Sequence, residues 1–366
     1  MPGTTTEADV IVIGLGIHGS ATAASLSRRG RRVIAVDRFA ADHVRGSSHG
    51  RTRMIRRAYP NPVWNDLVDL AFRGWASLES ETGQTLLHRT GGLYAHAGES
   101  QLQGADCVLV EDRAELERLM PDFRVPEGYR AVYDPHAGVV EASRALSAMR
   151  DVSVAHGADL RFGEQFLGWQ TTSDGVEVLT DAGTLRAGRL VIAAGSFAAS
   201  IVPRLAPLLE VWRILTVTVP PGQSRGRPPG LGAFSVDREE GLVFGIPDAD
   251  GNGVKLGVDA RDVWDPELPV AAPTRAEVDG MLSLLEAYVP GLDHEDVEAT
   301  ACLYTMTADK RFIIGALADA AQVVVVSACS GHGFKFAPAI GDAAADLADG
   351  IVRDDLDFIS TTRRGI

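Results

Sequence analysis

The segment from Asp9 to Asp37, DVIVIGLGIHGSATAASLSRRGRRVIAVD, constrains this chain most. An apolar run predicts a buried strand, Gly14, Gly16 and Gly19 form the pattern G-x-G-x-x-G before a predicted helix, and Asp37 closes a second strand. Such glycines let the backbone and the helix N-terminus approach a pyrophosphate, while the acid accepts hydrogen bonds from a ribose hydroxyl. The segment therefore predicts a dinucleotide site. A glycine-rich turn in an ordinary α/β domain is the alternative, and both FAD and NAD stay open.

Composition and charge narrow the class of protein. The chain has 366 residues, 45% of them hydrophobic, and a formal net charge of −14, so it can form two domains and nucleic acid is not an expected partner. The three cysteines (Cys107, Cys302 and Cys329) form no C-x-x-C pair, which indicates a reducing compartment. The chain lacks a basic leader and a long apolar run. We expect a cytoplasmic protein with no membrane contact and no metal site.

Buried strands of the βα type recur at the start of the chain, near residue 190 and near residue 325, and alternating strands fill the gaps. This interleaving predicts a discontinuous nucleotide-binding domain with a sheet-rich substrate domain inserted twice. The fold class is therefore α/β plus α+β. The predicted limits are residues 1–85, 137–207 and 298–366 for the first domain, and 86–136 and 208–297 for the second. Helices are predicted over residues 64–81, 113–119, 141–155, 274–288 and 338–350.

Three further segments carry side chains suited to chemistry: SHGRTRMIR at 48–56, GVKLG at 253–257, and CLYT at 302–305 with FII at 312–314 and SGHGFKF at 330–336. With the glycine pattern, and in the same order along the chain, they resemble the monomeric sarcosine oxidase and N-methyltryptophan oxidase family. That family belongs to the FAD-dependent amine and D-amino-acid oxidases. The resemblance implies a glutathione-reductase-like FAD-binding domain with an inserted, largely antiparallel substrate domain, and a flavin-dependent oxidase of CH–NH bonds.

Two arginines in this acidic chain suggest an anion site. Arg53 and Arg56 are three residues apart, so on a helical turn they would share a face that suits a carboxylate. A solvated basic face is the alternative. The resemblance implies that Arg56 binds the substrate carboxylate, and that Arg53, His49 and Thr52 line the site or cover the flavin ring.

Lys255, taken alone, would be a surface lysine at the end of an alternating strand. The resemblance instead places it near flavin N5, where a cation would stabilise negative charge on oxygen as it is reduced. Tyr304 is expected at the catalytic site as well. The sequence departs from the family pattern at two positions that bear on the substrate. Asp259 replaces a histidine of the family, and Phe244 replaces a tyrosine. A carboxylate beside the amine site favours a cationic or bulkier amine over sarcosine.

Cys302, taken alone, would be a small buried hydrophobe. In the family pattern C-x-Y-T it is the point of covalent attachment to FAD, and neighbouring Arg or Lys side chains would lower the pKa of its thiol. Cys107 and Cys329 are interpreted as packing residues.

The segment SGHGFKF is expected to hold the flavin pyrimidine. Gly331 and Gly333 let backbone N–H groups face the ring, and the N-terminus of the helix that opens here stabilises negative charge. The resemblance adds Lys335 as a second cation for the carboxylate, and His332 as a spacer without a role in proton transfer. The remaining expected cofactor contacts are Arg38, Ser47, Ser48 and Phe334.

The resemblance implies an oxidase of an N-methyl or cyclic secondary amino acid. Hydride transfer to flavin N5 would give an imine, and molecular oxygen would be reduced to hydrogen peroxide. The protein would be a monomer whose partners are a small-molecule amine and oxygen. Three alternatives stay open: oxidation or aromatisation of a cyclic imine or amine in secondary metabolism, an amine dehydrogenase that passes electrons to a partner protein, and a NAD-linked enzyme, which Cys302 and SGHGFKF disfavour.

Overall fold

The structure is a computed structural model, and it describes residues 5–97, 102–220, 231–249, 251–292, 294–327 and 330–363. Its helices agree with the predicted ones to within three residues at each end. None of the helices in these ranges is long and apolar enough to cross a bilayer. The helices are α1 (Ile17–Arg28), α2 (Asn65–Thr82), α3 (Arg113–Leu119), α4 (Ala142–Ala155), the short α5 (Ala198–Ile201), α6 (Arg275–Leu285) and α7 (Ala337–Ala348).

The strands of the described ranges form two sheets of eight strands and one of three. In chain order they are β1 (Thr5–Ile13), β2 (Val33–Asp37), β3 (Thr52–Ile55), β4 (Leu87–Arg89), β5 (Gly92–Ala97), β6 (Val108–Val110), β7 (Tyr129–Asp134), β8 (Gly138–Glu141), β9 (Asp159–Phe162), β10 (Phe166–Thr171), β11 (Val176–Thr180), β12 (Gly183–Ile192), β13 (Glu210–Val219), β14 (Ala233–Val236), β15 (Leu242–Ile246), β16 (Val254–Asp259), β17 (Glu298–Met306), β18 (Ile313–Leu317) and β19 (Ala320–Ser327).

The first sheet has a parallel centre. β1 lies between β12 and β2, β9 extends the sheet beside β2, and β19 pairs with β12, all in parallel. The central strands are rich in valine and isoleucine because both of their faces are covered, with α1, α4 and α7 contributing to the larger apolar core. The carboxyl ends of β1, β2 and β12 therefore meet at one edge, where open α/β sheets bind their ligands.

The second sheet runs in the order β17-β13-β16-β15-β14-β5-β7-β6 and is antiparallel except for the β14–β5 pair. Apolar and polar residues alternate along its strands because successive side chains point to opposite faces of the sheet. Val254 and Leu256 of β16 pack on α6 in an apolar core, whereas Lys255 and Asp259 of the same strand line a cavity on the other face. This alternation places the chemically active side chains between the two sheets.

The predicted fold class is confirmed: a largely parallel sheet with helices is joined to a largely antiparallel sheet. β3, β8 and β4 form a small third sheet beside them. The predicted domain limits stay a prediction. β17, which begins at the predicted limit of residue 298, pairs with β13 of the second sheet.

Candidate functional site

A cavity of about 720 Å³ extends from the carboxyl ends of β1, β2 and β12 to the inner face of the second sheet. Its lining includes Gly14, Gly16 and Asp37 at one end and Lys255 and Cys302 at the other. The volume lies within the usual range for ligand sites, roughly 300–1,000 Å³. An elongated molecule could therefore reach from the glycine loop to the cations of the second sheet.

The glycine loop has the geometry that the sequence predicts. Gly14 has a φ of +93°, and a Cβ there would lie 2.6 Å from the carbonyl oxygen of Ala193. A Cβ on Gly19 would lie 1.8 Å from the carbonyl oxygen of Gly14, so α1 can approach the loop only with glycine at this position. Gly16 borders the cavity, whereas Gly19 is absent from its lining and acts through packing.

The Asp37 carboxylate holds the glycine loop in place. It is 8% exposed and accepts hydrogen bonds from the backbone N–H groups of Leu15, at 2.8 Å, and Phe39, at 2.9 Å. Arg150 of α4 adds a second tie by donating to the carbonyl oxygens of Leu15 and Ala41. The contact of Asp37 with a ribose stays a prediction. The hydrogen bonds that Arg150 donates to this loop are a feature that sequence reasoning missed.

Three further predicted cofactor residues connect the loop at residues 38–48 to its surroundings. The Arg38 guanidinium stacks 3.9 Å from the ring centroid of Phe197 and pairs with Glu267 at 3.1 Å. Ser48 Oγ accepts from the N–H of Ile17, at the start of α1, at 3.0 Å. Ser47 donates to the Leu303 carbonyl oxygen on β17. All three predicted residues line the cavity.

The helical turn predicted for Arg53 and Arg56 is wrong, because Arg53 lies in strand β3, which pairs with β8, and Arg56 directly follows it. The Arg53 guanidinium donates to the carbonyl oxygens of Thr52, Ser47 and His49, so it organises the loop that borders the cavity. Thr52 is buried and, contrary to the prediction, does not line the cavity.

Arg56 lies between two tyrosine rings, with its guanidinium carbon 5.2 Å from the ring centroid of Tyr59 and 4.8 Å from that of Tyr94. In the part of the chain that the structure describes, Arg56 contacts these two rings and forms no ion pair with an acidic side chain. A cation that borders a cavity and stacks on aromatic faces keeps its hydrogen-bond donors available for a ligand anion.

Lys335 is the second cation at this end of the cavity and is 6% exposed. Its ammonium donates to the Tyr59 hydroxyl at 2.9 Å and to the His332 carbonyl oxygen at 3.0 Å. Burial, and then the nearby Arg56, lower the pKa of Lys335 well below its usual value. A bound carboxylate would raise this pKa again, because its negative charge stabilises the ammonium that burial and the charge of Arg56 destabilise.

Lys255 is the second residue of β16, not the last residue of its strand as predicted, and it is half-buried beside the cavity. Burial, followed by the charge of Arg53, lowers the pKa of Lys255 to about 7. The same causes lower the pKa of His49 to about 4, and His49 Nε2 has no hydrogen-bond partner within the described ranges of the chain. Near neutral pH the site therefore holds a neutral imidazole beside a lysine that can exchange its proton.

Cys302 lies in β17 and lines the cavity. Burial raises the pKa of the Cys302 thiol, while Arg53 and Lys255 act in the opposite direction. The cationic neighbours expected from the sequence are therefore present, but the net shift of the pKa is upward, because burial outweighs them. Cys107 is half-buried and burial raises the pKa of its thiol to about 12, whereas Cys329 lies outside the described residues.

Asp259, Tyr304 and Phe244 also line the cavity. Burial raises the pKa of Asp259, and one of its oxygens, Oδ1, has no hydrogen-bond partner among the described residues. A Cβ on Gly331 would lie 3.1 Å from the Tyr304 ring and 3.2 Å from Asp259 Oδ2, so the SGHGFKF segment passes directly over both side chains.

The backbone of SGHGFKF borders the cavity through Gly331, Gly333 and Phe334. A 3-10 turn at Phe334–Phe336 comes first, and α7 begins at Ala337, one residue before its predicted start. The side chain of His332 bonds Tyr59 and the carbonyl oxygen of Lys310, at 3.0 Å each. Its expected lack of a role in proton transfer stays a prediction.

The residues present fit FAD. The glycine loop forms a cradle that a Cβ would fill, and Asp37 lines the same end of the cavity, as a contact with a ribose would require. The far end of the same cavity offers cations and a cysteine to a flavin ring, which accumulates negative charge when it is reduced. The glycine loop, Asp37 and Ser48 would hold the nucleotide half, and the groups around Cys302 and Gly331 would surround the ring.

Comparison with known proteins agrees with this arrangement. The family profile described as "FAD dependent oxidoreductase" matches residues 9–347. The chain is 31% identical to monomeric sarcosine oxidase of Streptomyces avermitilis, over 93% of each chain. It is 30% identical to N-methyl-L-tryptophan oxidase of Yersinia pestis, over 93% of this chain and 94% of that one. The resemblance stated from the sequence is confirmed.

A solved structure supports the fold. It is the open form of a tyrosine-to-phenylalanine mutant of NikD, described as an unusual amino acid oxidase essential for nikkomycin biosynthesis. It superposes with a TM-score of 0.81 at 25% identity, over 97% of each chain. The agreement extends over both large sheets, since nearly the whole chain is matched.

Proposed function

Because the chain belongs to the FAD-dependent oxidoreductase family, we propose that it oxidises an amino acid with a secondary amine, either N-methylated or cyclic, using molecular oxygen. The observation that carries the proposal is the pair of cations, Arg56 and Lys335, at the reactive end of the FAD cavity. Two cations that lack an acidic partner in the described part of the chain fit a substrate carboxylate.

When bound, FAD supplies a two-electron acceptor that takes a hydride from the carbon beside the amine nitrogen and passes the electrons to oxygen, which leaves as hydrogen peroxide. The amine loses that hydride and one proton and becomes an imine, which water hydrolyses. The side chains would fix the geometry: Arg56 and Lys335 hold the carboxylate, so the amine-bearing carbon faces the ring.

The protonation state of the amine follows from the charges around it. Arg53 borders the cavity, and a positive charge there disfavours an ammonium group nearby. The pKa of His49, lowered to about 4, leaves this imidazole neutral. The site therefore favours the neutral amine, which is ready to lose a hydride without a strong general base. In its protonated form, Lys255 would stabilise negative charge on oxygen.

We further propose that FAD is attached covalently through Cys302. Its side chain lines the cavity, and the charges of Arg53 and Lys255 partly offset the burial that raises the pKa of its thiol and disfavours the thiolate that attachment needs. Acid precipitation tests this proposal: the yellow colour should stay in the protein pellet of the wild type and move to the supernatant for Cys302→Ser. Colour in the wild-type supernatant contradicts covalent attachment.

Asp259 supports a substrate with a second positive or hydrogen-bond-donating group. Its carboxylate lies in the cavity, with one oxygen free of hydrogen bonds within the described structure. A cyclic imine or amine that is oxidised further, up to aromatisation, is the second candidate substrate. The presence of Phe244 in the cavity, in place of the tyrosine of the family pattern, favours this candidate.

The test is a peroxide-coupled screen of the purified protein with sarcosine, N-methyltryptophan, proline and pipecolate, each beside its carboxamide. Peroxide should form with at least one carboxylate and at least 100-fold more slowly with its amide, the loss typical of an unpaired buried charge. Equal rates for acid and amide contradict the carboxylate site. Turnover with an artificial electron acceptor but without peroxide would instead indicate a dehydrogenase.

The relatives named monomeric support a monomer, which sedimentation would test.

A further inference from the structure

We infer that Tyr59 is the positioning residue of the carboxylate site, because its ring holds Arg56 and its hydroxyl holds Lys335. The inference rests on the proposed function, in which these two cations bind the substrate carboxylate. Tyr59 follows Arg56 by three residues and precedes Lys335 by 276, so it is the point at which two distant segments meet.

Tyr59 has little freedom to move. It is 3% exposed, and its backbone N–H and carbonyl groups form a pair of 2.9 Å hydrogen bonds with Gln103. Its ring packs against Trp64, with centroids 5.4 Å apart, and against Phe336, at 5.6 Å. A side chain fixed by backbone bonds and by aromatic packing can define the positions of the groups that bond to it.

The ring of Tyr59 faces the Arg56 guanidinium, whose central carbon lies 5.2 Å from the ring centroid. An arginine stacked on an aromatic face is oriented while its N–H groups remain available at the edge. The ring therefore sets the direction in which Arg56 presents its donors.

The hydroxyl of Tyr59 has a defined direction of donation. His332 Nε2 lies 3.0 Å from the carbonyl oxygen of Lys310, which can only accept, so Nε2 carries the proton and Nδ1 is an acceptor. Nδ1 then accepts the Tyr59 O–H at 3.0 Å. The lone pairs of the Tyr59 oxygen stay available to accept from the Lys335 ammonium at 2.9 Å. The chain of donors thus runs from Lys335 to Tyr59, to His332 and to the Lys310 carbonyl.

This direction matters because the ammonium of Lys335 is buried. The charged and titratable groups that face it are Arg56, Tyr59 and His332, with Tyr94 and Lys310 beyond them. No carboxylate of the described residues bonds the ammonium, so an acceptor such as the Tyr59 oxygen is needed to keep the lysine protonated. Without the hydroxyl, Lys335 should lose its proton at a lower pH.

The experiment compares the binding of methoxyacetate, a sarcosine analogue with oxygen in place of the amine nitrogen, to flavin-loaded wild type and Tyr59→Phe. Binding is followed by the change in flavin absorbance across a pH series, and the kcat and KM of the best amino acid substrate are measured in parallel. Tyr59→Phe retains the ring that stacks on Arg56 and removes only the hydroxyl. Tyr288→Phe is the matched control, because Tyr288 is a buried tyrosine of the apolar core beside α6.

Tyr59→Phe should weaken methoxyacetate binding about 10-fold, the usual loss for one hydrogen bond to a charged group. KM should rise more than kcat falls, and the pH above which binding weakens should move downward. In the background of Lys335→Met, the additional change Tyr59→Phe should have little effect, since its hydroxyl acts through the lysine. Tyr288→Phe should bind as the wild type does.

Unchanged affinity and an unchanged pH profile in Tyr59→Phe overturn the inference, as does an equal loss in the Lys335→Met background. A different result would contradict the proposed function itself. If the wild type binds no carboxylate and oxidises amino acids and their amides at equal rates, both the proposed function and the inference about Tyr59 are wrong. A misfolded Tyr59→Phe is recognised by a lowered unfolding temperature, and Lys335→Met together with His332→Leu then carries the test. His332→Leu removes the acceptor of the Tyr59 proton and should weaken binding only when Lys335 is present.

Discussion

The two ends of the cavity are held by different forces. At the nucleotide end, the glycine loop is fixed by the Asp37 carboxylate, whose oxygens accept two backbone N–H groups, and by the Arg150 guanidinium, which donates to the Leu15 carbonyl oxygen. At the reactive end, Arg53, Arg56, Lys255 and Lys335 gather around the same cavity, and aromatic rings and carbonyl oxygens take the place of acidic partners.

The two ends therefore differ in what a ligand contributes. The nucleotide end is already satisfied, so a bound nucleotide adds contacts to a site that exists without it. The reactive end holds positive charges whose burial is unfavourable, as the lowered pKa values of Lys255 and Lys335 indicate. An anionic substrate and a flavin that becomes negative on reduction would supply the missing charge. Substitutions at the reactive end should change catalysis, and substitutions at the nucleotide end should change cofactor loading.

The largest effect is expected for Arg56→Met. Removing one partner of a buried charged contact costs about 2–5 kcal/mol, so kcat/KM for the amino acid should fall about 100-fold or more. The same variant should oxidise the matching carboxamide as slowly as the wild type does. Steady-state peroxide assays on both compounds measure this, and a similar fall for acid and amide would contradict a role in carboxylate binding.

Lys255→Met should separate the two halves of the reaction. Oxygen reduction should slow by about 100-fold, the usual loss for a preorganised electrostatic group, while amine oxidation without oxygen keeps its rate. Rapid mixing of the substrate-reduced protein with oxygen measures the first, and anaerobic mixing with substrate measures the second. Equal oxygen reactivity in the two proteins would refute the role of Lys255.

The pH dependence of oxygen reduction sharpens the same point. The pKa of Lys255 is lowered to about 7, so the lysine is protonated below that pH and neutral above it. Because the cation is the stabilising form, the wild-type rate should be highest in mildly acidic solution and fall as the pH rises through about 7. Lys255→Met should show no such fall, and a retained fall would assign the titration to another group.

Asp37→Ala tests the nucleotide end. Loss of the hydrogen bonds to Leu15 and Phe39 should lower the flavin occupancy of the purified protein about 10-fold, in line with a buried charged acceptor worth about 1.5–3 kcal/mol. Turnover per bound flavin should change little, because the reactive end is intact. The ratio of flavin absorbance to protein measures occupancy, and a greater loss of turnover per flavin than of occupancy would be the contrary result.

The smallest effect is expected for Asp259→His. Exchanging the buried carboxylate for an imidazole should move the preference from cationic or bulky amines toward sarcosine by about 10-fold, because a charge partner near the substrate is lost. Ratios of kcat/KM for a set of secondary amino acids measure this preference. An unchanged ranking would remove Asp259 from the determinants of specificity.

Predictability also differs between the two ends. The glycine loop and Asp37 lie within one short segment whose spacing alone specifies a strand, a turn and a helix. The three-residue spacing of Arg53 and Arg56 suits a helical turn, and only pairing with β8, distant in sequence, makes this segment a strand. Tyr59 gave no signal, since a single aromatic residue in a loop is uninformative until Lys335 and His332 are brought to it. Tertiary contacts assemble the reactive end from five or more segments, and a local pattern does not encode that arrangement.

The most direct test of the central claim is anaerobic rapid mixing of the flavin-loaded protein with the best secondary amino acid and with its carboxamide. Bleaching of the flavin absorbance should be fast with the acid and at least 100-fold slower with the amide, and Arg56→Met should bring the acid down to the rate of the amide. Equal bleaching by acid and amide in the wild type would contradict a reactive end organised around a substrate carboxylate.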